Sequence, residues 1–152
     1  MIVARHTAPC QSLSQERHSM PFTRISLLAG KSPDYLAAVS SALDRALVDC
    51  FDVPENDRFA AIHQHQPGEL IFDRTYRGGP RSDDYIFFHI TTGKARSAET
   101  KARFFRRLVE NLAAAPGVRP EDVMVAIANS TFEDWSFAAG QSAGLSVEED
   151  RR

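Results

Sequence analysis

Pro21-Phe22-Thr23-Arg24-Ile25-Ser26-Leu27-Leu28-Ala29-Gly30-Lys31-Ser32-Pro33 is the stretch on which the fold turns. Phe22, Arg24, Ser26 and Leu28 fall on one face of an extended chain, and Thr23, Ile25 and Leu27 on the other, so a strand is expected. Gly30 breaks it. Ser32 followed by Pro33 reads as an N-cap with proline at the first helical position. Leu36, Val39, Leu43, Leu47 and Cys50 then recur at steps of three and four, the stripe of an amphipathic helix. Val53-Pro54-Glu55-Asn56-Asp57 turns the chain, and Arg58–His63 reads as a second strand.

The same plan recurs downstream. Asp84–Thr91 reads as a strand, Gly93 breaks it, and Ser97 is an N-cap candidate. Ala98, Lys101, Phe105, Leu108 and Leu112 form the expected helical stripe, with Lys101 its imperfect member. Pro116-Gly117 stops the helix, and Pro120-Glu121-Asp122 leads into a last strand, Val123–Ala128. The two N-caps lie 65 residues apart and the two Pro-Glu pairs 66 apart. Matching punctuation at one offset argues for a duplicated βαβ unit.

The expected fold is therefore an α/β (α+β) two-layer sandwich: a four-stranded mixed sheet with two helices on one face. The other face would be bare, although strands such as Tyr85–Thr91 and Val123–Ala128 are apolar on both sides. Covering it with further copies of the chain predicts a closed homo-oligomer. The connection between the units, Gln66–Ser82, is rich in turn residues, with Leu70-Ile71-Phe72 readable as a short extra strand.

A chain of 152 residues with 43% hydrophobic and 25% charged residues is one ordinary globular domain. The formal charge of −2 gives no reason to expect nucleic acid or an anionic membrane as partner. Apolar runs fall short of a membrane span. Two cysteines, Cys10 and Cys50, make no disulfide framework, which fits a reducing, cytoplasmic setting. Residues 1–20 show neither a signal-peptide core nor a clear period and read as a disordered extension or a mis-assigned start. The domain then spans 21–145, with 146–152 a flexible tail.

Met20-Pro21 stands directly before the first strand. If the mature chain begins at Pro21, its nitrogen is a free secondary amine, of a class that titrates near ~7.7–8.0. Such a group serves as base when neutral and as acid when protonated. With residues 1–19 attached, the same nitrogen is a tertiary amide without basicity.

A strand headed by proline, followed by a βαβ repeat, resembles the tautomerase superfamily. Within it the chain is most similar to the malonate semialdehyde decarboxylase-like branch. The matching stretches are Val53–Phe59, Gln64–Glu69, Ala95-Arg96-Ser97 and Asp134-Trp135-Ser136-Phe137. The resemblance implies Pro21 as the amino-terminal catalytic proline, with Asp57 working beside it by hydrogen bonding and by polarising a carbonyl or water. It implies Arg96 as one grip on a substrate carboxylate. The other grip is Lys94, which keeps the charge but lacks the planar fork of arginine. Trp135 and Phe137 match an apolar pocket wall. Further along, that match decays into Gly144 and Leu145.

The implied function is a cofactor-independent enzyme acting on small oxo or unsaturated carboxylic acids, built as a homotrimer. Decarboxylation, hydration and keto–enol tautomerisation all fit the residue set, and no metal is called for. A second function class stands beside it: a catalytically silent oligomeric binding module of the same fold, with the Pro21 nitrogen blocked by the residues before it. A third reading takes His63 and His65, on one strand face, as two ligands of a metal site. Each residue also has a plain structural role. Asp57 suits a turn, Arg96 a solvated loop, and Trp135 a core or an interface. Arg103, Arg106 and Arg107 suit a solvated helix face.

Overall fold

The computed structural model describes residues 20–144. The expectations for residues 1–19 and 146–152, and for Leu145, lie outside the described residues. Four strands and two helices follow in the order β1 (Phe22–Leu28), α1 (Pro33–Phe51), β2 (Phe59–His65), β3 (Ile86–Thr92), α2 (Ala98–Ala114) and β4 (Val123–Asn129). Short 3-10 turns at Pro120–Asp122 and Phe132–Asp134 flank β4.

The sheet order is β2-β1-β3-β4. β1 pairs parallel with β2, β3 parallel with β4, and the two units join antiparallel through β1 and β3. Each unit is thus one βαβ crossover, and the sheet is mixed, as the duplicated pattern predicts.

Both helices start where hydroxyls can cap them. Ser32 Oγ accepts from the Tyr35 N–H at 3.1 Å, and Ser97 Oγ accepts from the Thr100 N–H at 3.1 Å. The helices pack on one face of the sheet. Ile25 and Leu27 of β1 and Ile86, Phe88 and Ile90 of β3 are buried against Val39, Leu43, Leu47, Phe104, Leu108 and Leu112. Phe51 stacks on Phe104 with ring centroids 4.5 Å apart. Asn111 is buried between the helices and donates to the Ala42 carbonyl at 3.1 Å, so its amide has a partner in the core.

Two expectations are corrected. The core member of α2 is Phe104, which is fully buried, whereas Phe105 is 37% exposed. The helix is rotated so that Phe104, Leu108, Asn111 and Leu112 face inward, and the polar Asn111 hides that stripe from a hydrophobicity count. Leu70-Ile71-Phe72 forms no strand. The loop around it satisfies its backbone through side chains instead. Asp73 Oδ1 accepts from the Thr75 and Tyr76 N–H groups, both at 2.7 Å, and Arg81 Nη1 donates to the carbonyls of Asp73 and Tyr76. Those bonds to the Asp73 carboxylate hold its pKa below the usual range.

The connection between the units is anchored by Asp122, which is fully buried. Its carboxylate accepts from the Ser82 N–H at 2.6 Å, the Ser82 hydroxyl at 2.7 Å and Arg119 Nε at 3.1 Å. Burial pushes its pKa up, but the Arg119 and Ser82 donors outweigh that and hold it below the ordinary value.

The second face of the sheet carries Phe22, Arg24, Ser26 and Leu28 of β1, with Phe87, His89 and Thr91 of β3 and Met124, Ala126 and Ala128 of β4 beside them. Neither helix packs there; of the described chain, Trp135, beyond β4, reaches the end of this face beside Phe22 and Thr91. At its two edges Phe59 is 53% and Met124 44% exposed. Among the described residues no helix is long and apolar enough to cross a membrane.

Candidate active site

Sheet register brings the expected site residues to one end of the molecule. β1 and β2 run parallel with Phe22 level with Phe59, so Pro21 and the turn carrying Asp57 sit at the same end. β3 runs antiparallel to β1 with Thr91 level with Phe22, so its exit toward Gly93, Lys94 and Arg96 reaches that end too. β4 leaves level with Thr92 at Asn129 and leads directly to Trp135 and Phe137. Six residues dispersed over 117 positions therefore converge because two strands begin and two strands end at this edge.

Pro21 is buried one residue before β1, and Asp57 is half-buried two residues before β2. The Asp57 backbone N–H donates to the Pro54 carbonyl at 3.0 Å, closing the turn that presents its side chain. Lys94 is exposed on the loop after β3.

Arg96 is held more closely. Its Nη2 donates to the Phe51 carbonyl at 2.9 Å and its Nη1 to the Lys94 carbonyl at 2.5 Å, while the guanidinium lies 5.0 Å over the Phe51 ring. Helix α1 ends at Phe51 with no basic residue in its last turn. Arg96 and Arg103, whose Nη2 donates to the Cys50 carbonyl at 3.3 Å, bring cations from the second unit to those open carbonyls. Burial lowers the pKa of the Arg96 guanidinium, with the Asp52 carboxylate acting the other way.

Trp135 follows the turn Phe132–Asp134. A capping box formed by Thr131 and Asp134 fixes that turn, and the Thr131 donors hold the Asp134 carboxyl below its ordinary pKa. The Trp135 indole N–H donates to Ser130 Oγ at 2.7 Å, and Ser130 in turn donates from N and Oγ to the Thr92 carbonyl at 2.8 and 2.9 Å. The indole is thereby fastened to the end of β3. Phe137 stacks on it with centroids 5.8 Å apart and is half exposed.

The indole lines a cavity of about 340 Å³ together with Phe22, Arg24, His89 and Thr91. Arg24, His89 and Thr91 were not among the expected site residues. They read as ordinary members of strand alternation, and only the antiparallel register sets Arg24 level with His89. A second hollow is lined by Gly93, Ala95, Ser130 and the Phe132–Asp134 turn, among others. Elsewhere, His63 and His65 share a face of β2 with ring centroids 6.3 Å apart.

Comparison with known proteins gives consistent results. A family model described as tautomerase enzyme matches residues 57–138, and another of the same description matches residues 21–76. Probable tautomerase YusQ of Bacillus subtilis (strain 168) is 33% identical over 123 residues, which are 81% of this chain and 97% of that protein. Malonate semialdehyde decarboxylase, solved as wild type, as a variant with its first-position proline changed to alanine, and in inactivated form, has a TM-score of 0.76 and 31% identity. That match covers 84% of this chain and 98% of the other, and the study addresses decarboxylase and hydratase activities. A fused 4-OT wild type symmetric trimer shares the fold with a TM-score of 0.66 and 20% identity, over 82% of this chain and 98% of that one.

Proposed function

The chain belongs to the tautomerase family, and from that premise we propose that it is a cofactor-independent enzyme acting on small oxo or unsaturated carboxylic acids through the nitrogen of Pro21. The observation that carries this reading is the convergence of Pro21, Asp57, Lys94, Arg96 and Trp135 at one end of the sheet.

Each group has a task. On a 3-oxo acid, protonated Pro21 donates to the ketone or aldehyde oxygen and Asp57 helps polarise it. Lys94 and Arg96 hold the carboxylate so that its bond to the α-carbon can break. The bonding electrons flow into the carbonyl to give an enol, CO₂ departs, and the α-carbon then takes up a proton. Trp135 and Phe137 form an apolar wall that disfavours the charged carboxylate relative to neutral product. With Pro21 neutral, the same nitrogen takes a proton from carbon and returns it elsewhere, which is keto–enol tautomerisation. With Pro21 protonated and Asp57 directing water, an unsaturated acid is hydrated. The alanine variant made at the first-position proline of malonate semialdehyde decarboxylase supports looking first at this nitrogen.

The active unit in this reading is a homotrimer, in which further copies cover the second sheet face. The symmetric trimer of the fold relative and the exposed Phe59 and Met124 support it.

A second reading has its own observation. In the 152-residue sequence the Pro21 nitrogen is bonded to Met20, which makes it an amide. A protein retaining that bond would be a silent binding module of the same fold. Amino-terminal sequencing of the natural protein separates the two. A chain beginning at Pro21 that turns over 3-oxo, 2-oxo or unsaturated acids, and loses turnover on Pro21→Ala, supports the enzyme. A chain in which Pro21 is an amide, or a Pro21→Ala variant with full turnover, overturns the mechanism.

A further inference from the structure

The Trp135 cavity carries an inference about substrate recognition that the family resemblance does not supply. Its polar wall is made by Arg24 and His89, directly opposite each other on the two central strands. Neither Lys94 nor Arg96 lines it, although Trp135 does. Among the described residues no carboxylate lies within ion-pair distance of Arg24. An arginine without a counter-ion at the centre of a sheet face is out of place beside Phe22, Phe87, Ala126 and Ala128. Arg24 is exposed in the single chain, and the further copies that the homotrimer reading sets over this face would draw its guanidinium away from water, where an unpaired charge is unfavourable. The cavity therefore calls for an anion, and its remaining walls define which kind. Phe22 and Trp135 offer flat apolar surfaces, Thr91 a hydroxyl and His89 an imidazole, which together suit a small planar carboxylate rather than a hydrated inorganic ion.

We propose that this cavity is a carboxylate subsite of the active site, with Arg24 as its anion-binding residue, so that Arg24 helps set which acids the enzyme accepts. The guanidinium fork receives the carboxylate oxygens. Arg96, given a grip on the carboxylate above, also holds the carbonyls of Phe51 and Lys94, so Arg24 adds to that grip and does not replace it. The role of the cavity in turnover rests on the function proposed above, but the binding itself does not, because it requires neither a free Pro21 amine nor catalysis.

The test is calorimetric titration of the full 152-residue chain with malonate, an unreactive small dicarboxylate, at fixed ionic strength. Alongside it run Arg24→Ala, Arg24→Lys and, as a control for general charge, Arg106→Ala on the exposed face of α2. Sedimentation analysis of each variant reports the oligomeric state. Loss of a charge-assisted contact predicts binding weakened about tenfold or more in Arg24→Ala. Arg24→Lys should recover part of it, since charge is retained without the fork, and Arg106→Ala should bind within about twofold of wild type. Malonate binding unchanged in Arg24→Ala overturns the proposal. So does dissociation of the oligomer by Arg24→Ala when malonate has no effect on wild-type protein, because Arg24 then pairs with a carboxylate of a neighbouring copy. A Pro21→Ala chain that binds malonate normally yet lacks turnover leaves the subsite standing and bears only on the catalytic role of Pro21.

Discussion

Replacing Asp122 by asparagine should expose how the two βαβ units are held in register. The carboxylate is fully buried and accepts three bonds, two from Ser82 and one from Arg119. Asparagine is the same size, and its carbonyl oxygen can still accept from the Ser82 N–H. Its amide nitrogen, however, faces the Ser82 hydroxyl and the Arg119 guanidinium with a donor where an acceptor was. A bond to a charged group contributes about 1.5–3 kcal/mol. Arg119 is half exposed and can turn to water, so its share is discounted. The expected loss is about 2–3 kcal/mol, or roughly 4–12 °C in Tm for a chain of this length. Urea titration should show a lower midpoint with an unchanged m-value. The loss should also depend on pH. The folded carboxyl has a depressed pKa, so its stabilisation is complete above the unfolded value of about 3.9 and disappears as pH falls through the folded value. The gap between wild type and Asp122→Asn should therefore be constant near neutral pH and narrow progressively below about pH 4. A loss under about 0.5 kcal/mol, or a gap that stays constant down to pH 3, would refute the assignment of this carboxylate as a charged anchor.

Three further outcomes are expected. Phe104→Ala removes a fully buried ring stacked on Phe51 and should cost about 3–5 kcal/mol in denaturant titration, whereas Phe105→Ala next to it should cost less than about 1.5. Gly79→Ala places a Cβ 2.4 Å from the Arg74 carbonyl at a φ of +103°, so a loss of about 2 kcal/mol or more should be measured, with faster proteolysis of the 66–85 loop. Arg96→Ala uncaps the last carbonyls of α1 and should lower stability by about 1 kcal/mol. In protein beginning at Pro21 it should also raise KM more than it lowers kcat if the residue binds the substrate carboxylate.

Much of the architecture could be read from local chemistry. Ser32-Pro33 and Ser97 announce helices because their hydroxyls satisfy open N–H groups three residues on, a requirement that needs no partner from elsewhere in the chain. Strand alternation in β1 separates Ile25 and Leu27 from Arg24 and Ser26 correctly, because side chains on successive residues must point to opposite faces. The repeat offset revealed the duplication and hence the crossovers. Where a polar residue joins a buried stripe, as Asn111 does, a hydrophobic count selects Phe105 over Phe104 and errs by one position. Leu70-Ile71-Phe72 has the composition of a strand, yet the side chains of Asp73 and Arg81 satisfy the surrounding loop without a ladder.

The candidate site divides in the same way. Family resemblance could nominate Pro21, Asp57, Lys94, Arg96, Trp135 and Phe137, since each lies in a short stretch that can be matched residue by residue. Their convergence is a product of register: parallel pairing brings Pro21 beside the Asp57 turn, and antiparallel pairing of β1 with β3 brings the remaining residues to the same edge. Register also sets Arg24 level with His89, and packing commits the Arg96 guanidinium to the end of a helix 45 residues earlier in the chain. By itself the sequence determined the elements, their caps and the repeat, because those rest on interactions within a few residues. Only the tertiary structure decided which charges line a cavity and which also hold backbone carbonyls, because a side chain's partners depend on how distant strands are aligned.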